Sequence, residues 1–202
     1  MRGAVLALTV ALSFGAVSAA TLPVTPVATA EVPAEHTAAP LADLVELVLA
    51  RLNTADAVAA AKWVAAGRTG QPPVIDDPGR EAEVYDSMAA AGADLGLPEP
   101  WVRQVFLGQI EANKIVQRGL HTWWRFDAST VPATPPDLAA VRPVIDRVNG
   151  DILRQLAARR AELTSADCPR QVAAAAVPVV AAGRADALHG TALVRAAAAL
   201  CR

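Results

Sequence analysis

The sequence predicts an all-α protein, a single-domain six-helix bundle, on three observations. Hydrophobic residues make up 53% of a 202-residue chain, enough for one domain with a substantial core. Beyond residue 40 the chain is rich in alanine, the strongest helix former, and is divided by glycine and proline into long segments. No segment carries the period-two alternation of a half-buried strand. Because alanine supports helix almost anywhere, the breakers set the boundaries and the polar exceptions carry the chemistry.

The opening, MRGAVLALTVALSFGAVSAA, has the parts of a secretory signal peptide over residues 1–20. Arg2 supplies the charged end, Ala4 to Val17 the apolar run, and small residues suit cleavage near Ala19 or Ala20. The apolar run is short for a bilayer, so no stable membrane anchor is expected after cleavage, and the protein is expected to be secreted or periplasmic. Residues 21–40, rich in Pro, Ala and Thr without an apolar period, read as a flexible leader, and residues 41–202 as the folded domain.

The first helix is expected from about Leu41 to Ala66, ending at Gly67, where GRTGQPPVIDDPG supplies breakers. Asp77 can cap a second helix that Pro98 closes. A third, PWVRQVFLGQIEANKIVQRGLHTWW, carries an approximate helical period and stops before VPATPPDL. Asp137 can cap a fourth that runs through LAAVRPVIDRVNGDILRQLAARRAEL, with Pro143 bending and Gly150 weakening it. Two more helices, residues 168–182 and 185–201, complete the bundle.

Composition also excludes functions. The formal net charge is -2 and no basic tract exists, so nucleic acid is not an expected partner. His36, His121 and His189 are scattered without ligand spacing, so no metal site is expected and each reads as a surface or packing histidine. Cys168 and Cys201 are the only cysteines, and in an oxidising compartment a disulfide between them is the default. With the cysteines oxidised, no Ser-His-Asp or Cys-His arrangement and no glycine-rich phosphate loop after a strand, covalent catalysis has no agent.

What remains is an unusual set of cations. Lys62 is one of two lysines and lies eleven positions after Arg51, which returns it to within about 20° of the same helix face, roughly 16 Å along the axis. Arg80 and Glu81 follow Asp77 at the start of the second helix; Asn113 and Gln117 share a face of the third; Arg142 lies just inside the fourth. Such a set can bind a small dianion with arginines and direct donors at an oxygen that gains negative charge in a transition state. Taken singly, each arginine reads as a solvated helix residue, Asn113 and Gln117 as surface amides, and Asp77 as a helix cap. Trp63, Trp101, Trp123 and Trp124 read as core or interface aromatics.

In order and spacing these residues resemble the all-helical AroQ-type chorismate mutases, specifically the exported, disulfide-bonded gamma subclass. ARLNTADAVAAAKW is similar to the first active-site helix of that subclass, with Arg51 and Lys62 at the expected separation. DDPGRE follows its Asp-x-x-Arg-Glu pattern through Asp77, Arg80 and Glu81, although the preceding loop is longer. Asn113 stands where the family uses Ser or Thr, and Gln117 where it uses Gln or Glu. Arg142 matches the arginine that completes the pocket from within the same chain.

The resemblance implies conversion of chorismate to prephenate by an intramolecular Claisen rearrangement without a cofactor. It assigns Lys62 and Gln117 to the ether oxygen, and Arg51 and Arg142 to the two carboxylates with help from Arg80. Glu81 would accept from the ring hydroxyl. Asn113 would contact a carboxylate or position a neighbour, and Asp77 would orient Lys62 or only cap its helix. The resemblance further implies a homodimer with a complete site in each protomer. Two rivals stand beside this reading: a secreted helical binding protein that lost catalysis, motivated by the longer loop before Arg80, and an isochorismate-pyruvate lyase on the same fold.

Overall fold

The computed structural model describes residues 39–135 and 137–202. The expected signal peptide, the leader up to residue 38 and His36 lie outside the described residues. Seven α-helices follow in order, and no strand occurs among the described residues: α1 (Ala42–Thr69), α2 (Pro78–Ala93), α3 (Glu99–Phe126), α4 (Leu138–Ala158), α5 (Arg160–Leu163), α6 (Cys168–Ala181) and α7 (Ala187–Ala197). Six answer to the expected ones, except that the fourth ends at Ala158 and its expected last turn stands apart as α5.

α1 is the central element. It packs against α3, α4, α6 and α7, and Leu44, Val45, Val48, Leu49, Leu52 and Ala55 recur at helical spacing with almost no exposure. α3 answers with Trp101, Val102, Val105, Phe106, Ala112 and Val116, and α4 with Ile152, Leu153 and Leu156. α7 lies close against α3 because Gly108 leaves room for it: a Cβ there would fall 2.3 Å from the Cβ of Ala199. Hydrogen bonds reinforce that seam, with Trp101 Nε1 donating to the Leu200 carbonyl at 2.9 Å and the Gln104 amide to the Cys201 carbonyl at 2.7 Å.

Helix boundaries follow local chemistry, with corrections: α2 ends at Ala93, short of Pro98, and Gly96 follows at φ 69°. α1 does not stop at Gly67 but runs on to Thr69. A glycine inside a helix costs only about 1 kcal/mol relative to alanine, which a packed helix absorbs. What ends α1 is Gly70 at φ 70°, whose N–H closes on the Ala66 carbonyl at 2.9 Å, a left-handed terminus that favours glycine. Asp77 caps α2 by accepting from the Arg80 N–H at 3.0 Å, and Asp137 caps α4 by accepting from the Ala139 N–H at 3.0 Å. α4 continues as helix through Pro143 and Gly150. α7 begins two residues later than expected because Asp186 takes the capping position, accepting from the His189 N–H at 2.8 Å.

The chain end is stapled twice. Cys168 and Cys201 form the expected disulfide, and the Arg202 N–H donates to the Leu163 carbonyl at 3.0 Å. Closing a loop of 33 positions contributes about 3 to 4 kcal/mol in the chain-entropy account. The double variant Cys168→Ser, Cys201→Ser is therefore expected to lose that amount of unfolding free energy in urea titration, and a loss below about 1 kcal/mol would contradict it.

His121 and His189 both sit in the packing. His121 is buried, with Nε2 2.9 Å from the Ala59 carbonyl and its ring 5.5 Å from both Trp63 and Trp124. His189 is more than filler: it joins α7 to α1, Nε2 lying 3.1 Å from Asp56 and Nδ1 2.9 Å from Asp186. The Asp56 contact, partly opposed by burial and aided by Asp186, pushes His189 up to about 9. A histidine raised in the folded state stabilises fully below its unfolded value of about 6.5, and that stabilisation fades as pH rises through its folded value. Unfolding free energy is thus expected to fall between about pH 7 and 9.5, and the fall to vanish in His189→Gln.

Candidate active site

Four helices and one connection enclose a cavity of about 420 Å³. All eight candidate residues line it: Arg51 and Lys62 from α1, Asp77 from the connection, Arg80 and Glu81 from α2, Asn113 and Gln117 from α3, and Arg142 from α4. The shared face of Arg51 and Lys62 is thus an inward one. Apolar wall comes from Val58, Ile75, Val84, Ile110, Leu138, Val141 and Ile145, which raises the strength of every polar contact within.

Arg51 is the most committed side chain. It is only 5% exposed, with Nε donating to Asn149 Oδ1 at 2.8 Å and Nη1 to the Gln109 carbonyl at 3.2 Å. Both acceptors are neutral, and no carboxylate among the described residues forms a salt bridge with it. Burial, eased slightly by Tyr85, lowers its pKa to about 10, so it stays a cation at neutral pH. Buried charges are ordinarily paired; this one faces a cavity instead.

Lys62 is half-buried and Nζ donates to the Ile75 carbonyl at 3.3 Å. Burial lowers its pKa, while Asp77, Asp76 and Glu81 raise it and Lys114 lowers it. Arg142 is exposed at the mouth and also lacks a salt bridge among the described residues. Arg80 borders the cavity but its guanidinium pairs with Glu83 at 2.7 Å, so it is partly engaged elsewhere. Asp77 caps α2, and its own N–H donates to Glu81 Oε1 at 3.2 Å. Asn113 donates to the Gln109 carbonyl at 3.0 Å. Gln117 is buried, and its Oε1 has no hydrogen-bond partner.

Three wall residues escaped the sequence reading. Lys114 is buried and bonded to Glu81 at 2.8 Å and Glu111 at 2.9 Å. Asn149 positions Arg51, and Asp146 adds a carboxylate near the mouth. The available signals were that Lys114 is the second of the two lysines and that Asn149 lies two turns after Arg142, hence on the same face.

Arginine and lysine side chains thus meet the amides of Asn113, Gln117 and Asn149 around one cavity, an arrangement that can bind a small anion. A family model described as chorismate mutase type II matches residues 42–118, the span that supplies α1, α2 and most of α3. A secreted chorismate mutase of Mycolicibacterium smegmatis is 32% identical over 165 residues, covering 82% of this chain and 88% of that protein. The chain belongs to the type II chorismate mutases.

A secreted chorismate mutase of Mycobacterium tuberculosis is 31% identical over 162 residues, covering 80% of this chain and 78% of that one. The crystal structure of a chorismate mutase from Burkholderia phymatum superposes with a TM-score of 0.72 at 38% identity, over 81% of this chain and 96% of that one. The secreted chorismate mutase from Yersinia pestis, at 22% identity and a TM-score of 0.60 over 78% of this chain and 94% of that one, shares the fold. In this chorismate mutase the family match stops before α4, which adds Arg142 and Asn149 to the cavity.

An unpaired buried guanidinium predicts a trade between stability and binding. Arg51→Met is expected to leave the unfolding free energy within about 1 kcal/mol of wild type, because a buried charge without a partner stabilises little. It should also abolish the thermal stabilisation that millimolar malonate, a small dianion, gives the wild type. A wild type indifferent to malonate, or a variant stabilised equally, would contradict the receptor geometry.

Proposed function

We propose that this chain, as a type II chorismate mutase, rearranges chorismate to prephenate in this cavity, with Arg51, Lys62, Gln117 and Arg142 as its principal machinery. The observation that carries the reading is Arg51, a buried cation aimed at the cavity and held only by neutral acceptors. Chorismate brings two carboxylates, and a planar guanidinium fixes both the position and the orientation of one. Arg142 takes the other, assisted by Arg80 once it releases Glu83. Held at both ends, the substrate stays in its compact reactive form, which lowers the entropic part of the barrier.

In the rearrangement the C–O bond breaks ahead of C–C bond formation, so partial negative charge gathers on the ether oxygen. Lys62 and the Gln117 amide donate to that oxygen and therefore bind the transition state better than the substrate. Glu81 accepts from the ring hydroxyl, and Asn113 contacts a carboxylate. No bond to the protein forms, and the chemistry asks for no cofactor. The relatives are secreted proteins by name; with the signal-like first 20 residues, export of this chain follows, and no helix among the described residues is long and apolar enough to cross a membrane. Homodimerisation is the accompanying expectation, read by light scattering.

The deciding experiment follows loss of chorismate absorbance with the purified mature protein. Prephenate is expected; pyruvate would identify the lyase, and no reaction at high enzyme concentration would favour the binding protein. Lys62→Ala should lower kcat by at least about 100-fold, since one preorganised donor is worth roughly 2.7 to 4 kcal/mol; nearly unchanged turnover would defeat this mechanism. Because an amide donates without titrating, turnover is expected to stay flat between about pH 5 and 7, where a carboxyl donor at position 117 would lose activity as it ionises.

A further inference from the structure

We propose that Lys114 is a positioning residue: from α3 it clasps the connection between α1 and α2 and holds Glu81 as a neutralised acceptor, so that the substrate meets the cavity cations without a competing free carboxylate. The proposal deepens the mutase reading and rests on it.

The geometry is specific. Lys114 is 7% exposed, and Nζ lies 2.8 Å from Glu81, 2.9 Å from Glu111 and 3.2 Å from Asp76. One turn on, Arg118 Nη2 donates to both oxygens of Asp76, at 2.6 and 2.8 Å. Asp76 stands between Ile75, whose carbonyl receives Lys62, and Asp77, which caps α2. Three successive residues are therefore tied to the proposed catalytic lysine, to α3 and to α2. The segment 72–77 has neither helix nor strand to hold it, so these side chains fix where Asp77 and Glu81 stand.

The charges explain why a lysine is needed there. Glu81 from α2, Glu111 from α3, and Asp76 and Asp77 from the connection face one another, with Arg118, Lys62 and the Tyr85 hydroxyl around them. Burial would lower Lys114, but Glu81, Glu111 and Asp76 outweigh it and raise its pKa. Without that ammonium, Glu81 lies unpaired beside the dianion and repels it. Removal of Lys114 should therefore weaken substrate binding more than chemistry.

The test measures chorismate kinetics from pH 5 to 9 for Lys114→Met and Lys114→Arg, each in wild-type and Glu81→Gln backgrounds. In the wild-type background Lys114→Met is expected to raise KM by at least about 10-fold with kcat within about 3-fold. Lys114→Arg should recover most of the loss, and in the Glu81→Gln background the Lys114→Met effect should shrink below about 3-fold. An unchanged KM, or an equal loss in both backgrounds, overturns the proposal.

Amide hydrogen exchange provides a readout independent of turnover. Residues 75–81 should exchange at least about 10-fold faster in Lys114→Met, and in Asp76→Asn should Lys114→Met fail to fold, while core amides of α1 keep their protection. Unchanged exchange there overturns the clasp even if kinetics shift. A wild type without chorismate turnover would instead remove the mutase reading, with the clasp still scored by exchange.

Discussion

The site depends on one interaction, the burial of Arg51 between Asn149 of α4 and the Gln109 carbonyl of α3. A guanidinium in that position gives up hydration and donates two hydrogen bonds to neutral oxygens, which do not fully offset the loss. The fold tolerates it because the apolar stripe of α1 continues immediately on either side, through Val48, Leu49, Leu52 and Ala55. The same two bonds tie α1 to α3 and α4, the helices that must stand apart for the cavity to exist. The cation thus ties together the walls of the cavity it faces.

Two groups of cations have different tasks. Lys114, Arg118, Arg103 and Arg184 each meet at least one carboxylate and tie elements together, most of them at exposed positions where a pair contributes about 1 kcal/mol or less. Arg51, Lys62 and Arg142 form no salt bridge among the described residues and converge on the cavity. The unpaired group contributes little to stability. Stability comes from the α1, α3 and α4 core and from the disulfide-stapled C-terminal end.

Much of this was legible in the sequence, for identifiable reasons. The helical repeat alone places Arg51 and Lys62 on one face, and the capping preferences of Asp77 and Asp137 mark two helix starts that occur where expected. Gly67 misled because a breaker is recognised by residue type, whereas helix termination at Gly70 depends on a positive φ that composition does not reveal. Lys114 was hidden for a different reason. With Glu111 three positions earlier it reads as an ordinary exposed pair on a helix, and only the tertiary approach of α2 and the connection turns that pair into a buried cluster. Asn149, a neutral residue, acquires its role only through the crossing of α4 over α1.

Charge in the site is layered, and the order of the layers matters. Lys114 and Arg118 on α3 engage Asp76 and Glu81; those carboxylates, with Asp77, oppose the effect of burial on Lys62. Lys62 in turn lines the cavity and donates to the Ile75 carbonyl, and the proposed mechanism directs it at the oxygen that becomes negative. If the carboxylates were unbalanced they would repel the substrate; if they were absent, burial would lower Lys62 further, toward the neutral amine that cannot stabilise an anion as a cation does. A lysine on α3 therefore makes it possible to have acidic groups close enough to keep Lys62 charged without presenting a net negative wall to a dianion. That requirement gives the extended connection before α2 a physical purpose: it carries Ile75, Asp76 and Asp77 into the narrow space between the two lysines.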